Sequence, residues 1–286
     1  MIVITPKVVF IPSGSINKII TQLSQQNYNV TSLDAFILRF LGSPQKGWIY
    51  IGSNEVTHAD FLYKLTTAKA AMEDITLIPG ETTYVFLDQL SQGLNLNREL
   101  LQKYYNKYSH YKEGEFVPNT YKLPMGISEE NLIRTLLLES DRQMKIFSNK
   151  IFGKYDRDKW FRYVTVASVI QKEAASVDEM PLVSSVIYNR IKKGMKLQMD
   201  GTLNYGKYSH IKITHDRIQE DKSSYNTYLN QGLPKYPVCN VSFDAIKAAI
   251  FPAKTSYLYF VKGKDGRHSF SCNYSTHIKN INNATK

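Results

Sequence analysis

The sequence has few of the features that hold a protein in a membrane or build it around cysteine chemistry. No stretch approaches the roughly 18 consecutive apolar residues of a transmembrane helix. The N-terminal segment MIVITPKVVFIPSGS lacks the charged and long apolar regions of a signal peptide. The two cysteines, Cys239 and Cys272, belong to no CxxC pattern, which argues against a zinc or thioredoxin-type site. They either form one disulfide in an oxidising compartment or remain unpaired.

Motifs of metal-dependent and nucleic-acid-binding proteins are also missing. The six histidines form no HExxH motif or other tight ligand cluster, so we expect no metal and no other cofactor. The net charge of +11 favours polyanionic partners, but the basic residues are spread along the chain. Because no zinc-finger, basic-zipper or RNP-like motif accompanies them, we do not expect a nucleic-acid partner.

Short strands and helices alternate in the first third of the sequence. The 286 residues suffice for about two domains. Hydrophobic periodicity and start signals predict strands at 8–12, 48–52 and 74–78, and helices at 16–23, from 31–34 onward, at 57–69 and at 83–92. These elements predict a small α+β module without a catalytic cluster.

A polar, tyrosine-rich passage at 106–124 contains several helix breakers, and we place the domain boundary there, between residues 1–110 and 111–286. The second region is predicted to hold helices at 127–149, 157–175 and 177–193. Ser176 and Glu179 have the spacing of a capping box, and Gly194 stands where a helix stop is expected. The runs 257–261 and 267–271 flank a KGKDG loop and predict a hairpin. The fold class is therefore mixed α+β.

One carboxylate lies on an apolar helix face in this second region. Tyr163, Val166, Ala167 and Ile170 share one stripe of the helix, and the same spacing continues to Glu173. A carboxyl group there loses hydration, which raises its pKa and suits general acid catalysis near neutral pH. The competing interpretation is that the helix ends at this point. Glu173 would then turn into solvent or pair with Arg190.

Several motifs carry a family resemblance. The second region resembles the endolytic murein transglycosylases of the MltG or YceG-like family over most of residues 113–277. The matching segments, in chain order, are EGEFVPNTY (113–121), ASVIQKEA (167–174), VIYNRIKKGMKLQMDGTLNYG (186–206), SYNTYLNQGLP (224–234), AIKAAIFPAKTSYLYFV (245–261) and DGRHSF (265–270). The first region is similar, more weakly, to the LysM-like module of this family, for which we expect peptidoglycan binding.

The resemblance implies a lysozyme-like helical catalytic core with a C-terminal β-hairpin, and it places the catalytic carboxylate at Glu173. It implies cleavage of the β-1,4 bond between N-acetylmuramic acid and N-acetylglucosamine within nascent strands, which leaves a 1,6-anhydromuramoyl end and terminates elongation. Peptidoglycan strands and peptidoglycan synthases are the implied partners. The implied location is the cell envelope, outside the inner membrane, with an N-terminal membrane helix that would precede Met1.

A fainter resemblance to lysozyme-like lytic transglycosylases concerns substrate binding. It implies roles for Gln198 in KLQMD and for Tyr225 and Asn226 in SYNTY, because amides can bind sugar hydroxyl and N-acetyl groups and Tyr can cover a sugar face. Structural capping is the competing role for Asn226. Further candidates for substrate contact within the matching segments are Asp200, Tyr188 and His268, and His268 could instead order the hairpin.

The sequence departs from the family pattern at four loop positions, and these put groove shape and substrate preference in question. Gly201 stands where the family commonly has Pro, and Lys235, Tyr236 and Val241 stand where Pro, Gly and Pro are usual. Two other functions stay open. A lysozyme-type muramidase would add water and need a second carboxylate, for which Asp200 is the candidate. A peptidoglycan-binding protein would bind strands without cleaving them.

Overall fold

The chain forms a mixed α+β structure, seen here in a computed structural model that describes residues 2–285, apart from the side chain of Thr285. The outer ends of the two predicted regions, Met1 and Lys286, lie outside the described residues. The strands are β1 (Ile2–Ile4), β2 (Val8–Ile11), β3 (Gly47–Tyr50), β4 (Glu55–Thr57), β5 (Met72–Leu77), β6 (Asn119–Pro124), β7 (Tyr259–Lys262) and β8 (His268–Ser271). The helices are α1 (Ile16–Gln25), α2 (Ser32–Leu41), α3 (His58–Thr67), α4 (Thr83–Leu94), α5 (Arg98–Tyr108), α6 (Glu129–Phe152), α7 (Arg157–Glu173), α8 (Met180–Lys192), α9 (His215–Glu220), α10 (Phe243–Ile250) and α11 (Tyr274–Thr285).

The chain divides into two compact units that are not continuous in sequence. The first unit consists of residues 1–75, 93–95 and 120–128, and the second of residues 76–92, 96–119 and 129–286. The boundary expected from the sequence lay at 110. The structure instead assigns most of α4 and all of α5 to the second unit.

The first unit packs three helices and two antiparallel strand pairs around its own core. Strand β2 pairs with β3 and β1 pairs with β4, so the helices α1 and α2 lie in sequence between paired strands. The helix α2 begins at a capping box, in which Asp34 accepts a hydrogen bond from the Thr31 amide. The fully buried side chains Ile11, Leu23, Leu38 and Phe61 form the centre of this core.

The second unit is mainly helical, and α7 passes through its core. Trp160, Val164 and Ile170 of α7 are buried against residues of α8 and α10. The strands β7 and β8 form the predicted hairpin, with Tyr259 opposite Ser271 and Lys262 opposite His268. The predicted helices and strands of both regions are thus present, with ends that differ by a few residues.

The passage at 106–124, which was expected to be a polar connection, is largely structured. It contains the end of α5 and all of β6, and Phe116 and Val117 are buried. Its carboxylate Glu113 accepts hydrogen bonds from the amide and hydroxyl of Thr83, at 3.0 and 2.6 Å, where α4 begins. The polar residues of this passage form hydrogen bonds with buried main-chain groups. Amino-acid composition alone does not distinguish such residues from polar residues that face solvent.

The predicted capping box of Ser176 and Glu179 is not formed. The Ser176 side chain makes no capping hydrogen bond, and the Glu179 carboxylate binds His268 instead. This prediction was wrong because a partner 89 residues along the chain takes the carboxylate. Gly194, by contrast, has a φ of +67° at the end of α8, as its predicted stop role requires.

Both cysteines are free thiols: Cys239 is buried and Cys272 is exposed. Burial raises the pKa of the Cys239 thiol to about 12, so it is protonated at neutral pH. Within residues 2–285, no helix combines the length and apolar character needed to cross a bilayer.

A buried amide in the second unit offers a test of this packing. The Asn240 side chain donates to the Glu81 carbonyl oxygen at 3.1 Å and accepts from the Phe116 amide at 3.1 Å. Asn240→Ala leaves the Phe116 amide buried and unpaired, while the Glu81 carbonyl oxygen keeps its hydrogen bond from the main-chain amide of residue 240 at 2.9 Å. We therefore expect a loss of about 2 kcal/mol in the free energy of unfolding. Urea unfolding measures this loss.

The matched control for this variant is Asn149→Ala, at an exposed position of α6. We expect that control to stay within about 0.5 kcal/mol of the parent protein. Equal stability of the two variants would contradict the role given to Asn240.

Candidate active site

The last residue of α7 carries the carboxylate that the sequence singled out. The helix is capped by Asp156, whose side chain accepts a hydrogen bond from the Lys159 amide, and it ends at Glu173. Val166, Ala167 and Ile170 are buried, and Glu173 itself is partly buried. The apolar stripe therefore anchors the helix in the core and leaves the carboxyl group at its margin.

Glu173 lies in the wall of a cavity of about 550 Å³. The cavity is bounded by the ends of α7 and α8, the 198–200 loop, Tyr228, the β7–β8 hairpin and α11. The polar and aromatic side chains in its wall are Glu173, Arg190, Gln198, Asp200, Tyr228, Tyr259, Phe260, Lys262, His268, Tyr274 and His277. A concave site with a few polar groups and aromatic walls suits a sugar substrate better than a purely apolar ligand.

A main-chain hydrogen bond holds the carboxyl group of Glu173 in place. The Gly201 amide donates to Glu173 Oε1 at 2.8 Å. A Cβ atom on residue 201 would lie 2.6 Å from the Lys172 Cβ and 2.8 Å from Glu173 Oε1, so only glycine allows this approach. A proline, the usual residue of the family at this position, would have no amide hydrogen to donate.

The surroundings of Glu173 bring the pKa of its carboxyl group close to neutral pH. Burial raises the pKa of Glu173 to about 7, and the nearby Asp200 charge acts in the same direction. The Gly201 hydrogen bond and the positive charge of Arg190 oppose this rise. Both forms of the carboxyl group are therefore populated near pH 7, as a group that first donates and then accepts a proton requires.

Arg190 lies in the same cavity wall without forming a salt bridge to Glu173 among the described residues. Its Nε donates to the Leu258 carbonyl oxygen at 2.6 Å, and its Nη1 donates to that of Leu197. The guanidinium carbon is 5.3 Å from the centre of the Tyr259 ring. The sequence left open a Glu173–Arg190 ion pair, and the structure shows Arg190 fixed to main-chain carbonyls instead.

His268 is held in the cavity wall by a buried carboxylate. The Glu179 side chain lies 2.7 Å from His268 Nδ1 and also accepts from the His268 amide at 2.9 Å. Burial by itself raises the pKa of Glu179, but the hydrogen bonds and charge of His268 outweigh it and lower that pKa. The imidazole therefore lines the cavity and fixes the β7–β8 hairpin to the α7–α8 connection, as the hairpin-ordering role requires. Contact of His268 with substrate stays a prediction.

Four of the seven residues predicted from the sequence share this cavity: Glu173, Gln198, Asp200 and His268. The side chains of Tyr188, Tyr225 and Asn226 do not belong to its wall. The Tyr188 hydroxyl donates to the Ala249 carbonyl oxygen at 2.7 Å, and Tyr225 stacks on Tyr205 with ring centres 4.2 Å apart.

Asn226 has the environment of a structural side chain. It is 0 % exposed, its amide nitrogen donates to the Ile218 and Asp221 carbonyl oxygens at 2.8 Å, and its oxygen accepts from the Tyr228 amide at 3.0 Å. This geometry favours the capping alternative. It orders the turn that places Tyr228 in the cavity wall.

Sequence reasoning missed Tyr228, Tyr259 and His277 in the cavity wall. Tyr228 lies within SYNTY, so the motif contained the signal, but the neighbouring Tyr225 was selected. Within residues 2–285, no group of three or more His, Cys, Asp or Glu side chains is arranged to hold a metal ion.

Comparison with known proteins identifies the same family that the sequence motifs resemble. The sequence pattern of the YceG-like family matches residues 9–283 of the chain. A relative from Bacillus subtilis, named endolytic murein transglycosylase, is 30% identical over 222 residues, which are 76% of this chain and 61% of the relative. A protein of the same name from Streptococcus pneumoniae is 31% identical over 175 residues, which are 59% of this chain and 31% of that protein.

Among solved structures, a YceG-like protein from Listeria monocytogenes matches with a TM-score of 0.62 and 26% sequence identity. The match covers 95% of this chain and 98% of that structure. The mixed α+β fold is thus shared over nearly the full chain. The alignments span about three fifths of the Bacillus subtilis relative and about a third of the Streptococcus pneumoniae one.

The raised pKa of Glu173 predicts a pH-dependent stability difference. A carboxyl group whose pKa rises from 4.5 in the unfolded chain to about 7 in the folded protein binds its proton more tightly when folded. Its contribution to stability is complete below pH 4.5 and is lost as the pH rises through 7. Glu173→Gln removes this titration and keeps an oxygen that can accept the Gly201 hydrogen bond.

We therefore expect the wild-type protein to lose about 1 to 3 kcal/mol relative to Glu173→Gln between pH 5 and pH 8. Urea unfolding of both proteins at the two pH values measures the difference. The carboxyl groups of Glu113 and Glu115 also have raised pKa values, but both groups are present in both proteins, so their contributions cancel. If the wild-type protein and Glu173→Gln differed in free energy of unfolding by the same amount at both pH values, the result would contradict the raised pKa assigned to Glu173.

Proposed function

This chain belongs to the YceG-like family, and on that premise we propose that it is an endolytic lytic transglycosylase of peptidoglycan. It cleaves the β-1,4 bond between N-acetylmuramic acid and N-acetylglucosamine within nascent glycan strands. The observation that carries the proposal is Glu173 at the margin of a polar, aromatic cavity, with a pKa of about 7. The names of the two relatives support the same reaction class.

The proposed mechanism needs one carboxyl group of the protein. Protonated Glu173 donates its proton to the glycosidic oxygen as the bond to the muramoyl anomeric carbon breaks through an oxocarbenium-like transition state. The Glu173 carboxylate then accepts the proton of the muramoyl C6 hydroxyl, whose oxygen bonds to the anomeric carbon. The products are a 1,6-anhydromuramoyl end and a strand with a free N-acetylglucosamine 4-hydroxyl, and Glu173 is protonated again.

The groups around Glu173 fit both halves of this cycle. Desolvation and the Asp200 charge keep the proton on Glu173 before cleavage, and the Gly201 amide and Arg190 stabilise the carboxylate after it. Gln198 and His268 supply polar groups for the sugar substituents, and Tyr228 and Tyr259 supply ring surfaces. The hydrolytic alternative would assign the second carboxylate to Asp200, whose Oδ1 accepts a hydrogen bond from Tyr228.

The proposal extends to the rest of the protein. The first unit acts as a LysM-like module that binds peptidoglycan. Its small size and its separate hydrophobic core support this role. The second unit contains a lysozyme-like catalytic core. The protein works at the cell envelope on the outer side of the inner membrane, anchored by a helix upstream of Met1, with peptidoglycan synthases as further partners. An upstream gene sequence that encodes no apolar segment would contradict this anchoring.

Product analysis tests the reaction and its acid together. The purified chain and its Glu173→Gln variant are incubated with uncrosslinked glycan strands, and the fragments are identified by mass spectrometry. We expect internal cleavage with anhydromuramoyl ends and a loss of at least about a hundredfold in the variant, because the amide cannot donate the proton.

The other products distinguish the alternatives. Fragments heavier by one water would show hydrolysis and would contradict the transglycosylase. Strands that bind to the parent protein and stay intact would assign the chain a recognition role only. A variant with Lys159→Gln, on the exposed first turn of α7, serves as the control and is expected to cleave like the parent.

A further inference from the structure

The loop that carries Gly201 is held by a neighbouring segment of the chain. The Gln198 amide donates to the Thr227 carbonyl oxygen at 3.1 Å, and the Met199 amide donates to the Thr227 hydroxyl at 3.0 Å. The Tyr228 hydroxyl donates to Asp200 Oδ1 at 2.5 Å. Residues 227 and 228 therefore bind three consecutive residues of the 198–201 loop.

This loop needs an external support because its backbone is not in a locally favoured conformation. Gln198 has a φ of +48°, in the left-handed region that residues other than glycine rarely adopt. Such a conformation persists only where surrounding contacts impose it. The two hydrogen bonds with Thr227 come from the amide of the strained residue and from the amide that follows it, and the Tyr228–Asp200 hydrogen bond lies next to Gly201.

We propose that Tyr228 is a positioning residue for the reaction, which acts through Asp200 to hold the Gly201 amide against the Glu173 carboxyl group. The hydrogen bonds form one chain, from the Tyr228 hydroxyl to Asp200 and from the adjacent Gly201 amide to Glu173 Oε1. The kinetic test of this inference rests on the proposed function, whereas its spectroscopic test requires no turnover.

The tyrosine also keeps the Asp200 charge close to Glu173. Asp200 raises the pKa of Glu173, and without the hydroxyl its exposed side chain is free to rotate toward solvent. Arg190 from α8 and Tyr228 itself also act on Glu173, and Lys262 and His268 of the β7–β8 hairpin line the same cavity. Lys172, the preceding residue on α7, points to the Ser209 hydroxyl at 3.2 Å.

The kinetic test is Tyr228→Phe, which removes one hydroxyl and keeps the ring. We expect kcat to fall about tenfold with KM within about twofold, because the acid is misplaced while the sugar-binding surface remains. Tyr111→Phe is the matched control. The Tyr111 hydroxyl donates to Asp158 Oδ1 at 2.6 Å outside the cavity, so this variant loses a similar hydrogen bond and should keep the parent kcat.

A double-mutant cycle shows whether Tyr228 acts through Asp200. We expect Tyr228→Phe to have no further effect on kcat in an Asp200→Ala protein, because the partner is already absent. If Tyr228→Phe instead lowered kcat by the same factor with and without the Asp200 side chain, the result would overturn the proposal and assign Tyr228 to direct substrate contact. Thermal unfolding of each variant confirms that it is folded.

The spectroscopic test does not depend on turnover. The Gly201 amide resonance should move with pH around 7 in the wild-type protein, stay fixed in Glu173→Gln, and move less in Tyr228→Phe. An unchanged Gly201 titration in Tyr228→Phe, in a protein that cleaves strands, would overturn the positioning role alone. If the Gly201 resonance titrated as expected in all three proteins but the wild-type protein cleaved no strand, the result would support the positioning role and overturn the proposed function.

Discussion

The hydrogen bond from the Gly201 amide to the Glu173 carboxyl group is the contact on which the rest of the site depends. It joins the end of the core helix α7 to a loop that is 28 residues further along the chain. The helix fixes the backbone of Glu173, but a glutamate side chain has three rotatable bonds and needs a second point of attachment. Because the loop lies against Lys172 and Glu173 with no room for a Cβ atom, the position of that second point is well defined.

The chemistry follows from a balance of opposing electrostatic effects at this contact. Burial and the Asp200 charge favour the protonated acid, while the amide and Arg190 favour the carboxylate. Burial outweighs the opposing effects and brings the pKa of Glu173 to about 7, so near neutral pH the carboxyl group can release a proton and take one back without a large change in free energy in either direction. This balance is the property that distinguishes Glu173 from a surface glutamate at a helix end.

The sequence could predict the parts of the site that depend on local periodicity, and it could not predict those that depend on distant partners. The stripe through Val166, Ala167 and Ile170 made Glu173 a candidate because helical spacing is a local property, and the family resemblance then decided between this candidate and an ordinary helix-end glutamate. The capping role of Glu179 was wrong because His268 lies far along the chain, and local spacing carries no information about such a partner. Tyr225 was selected over Tyr228 for a similar reason, since only the fold shows which of the two faces the cavity.

The division of the chain into interleaved units has a consequence for its inheritance. Residues 93–95 and 120–128 belong to the first unit, although they follow segments of the second. One cut at any position would therefore leave at least one unit incomplete. Replacing the coding sequence of the first unit with that of a relative would require several crossovers, each at matching positions in the two genes. The two units are therefore expected to pass through evolution as a pair, and new combinations should arise by substitution within them more readily than by shuffling.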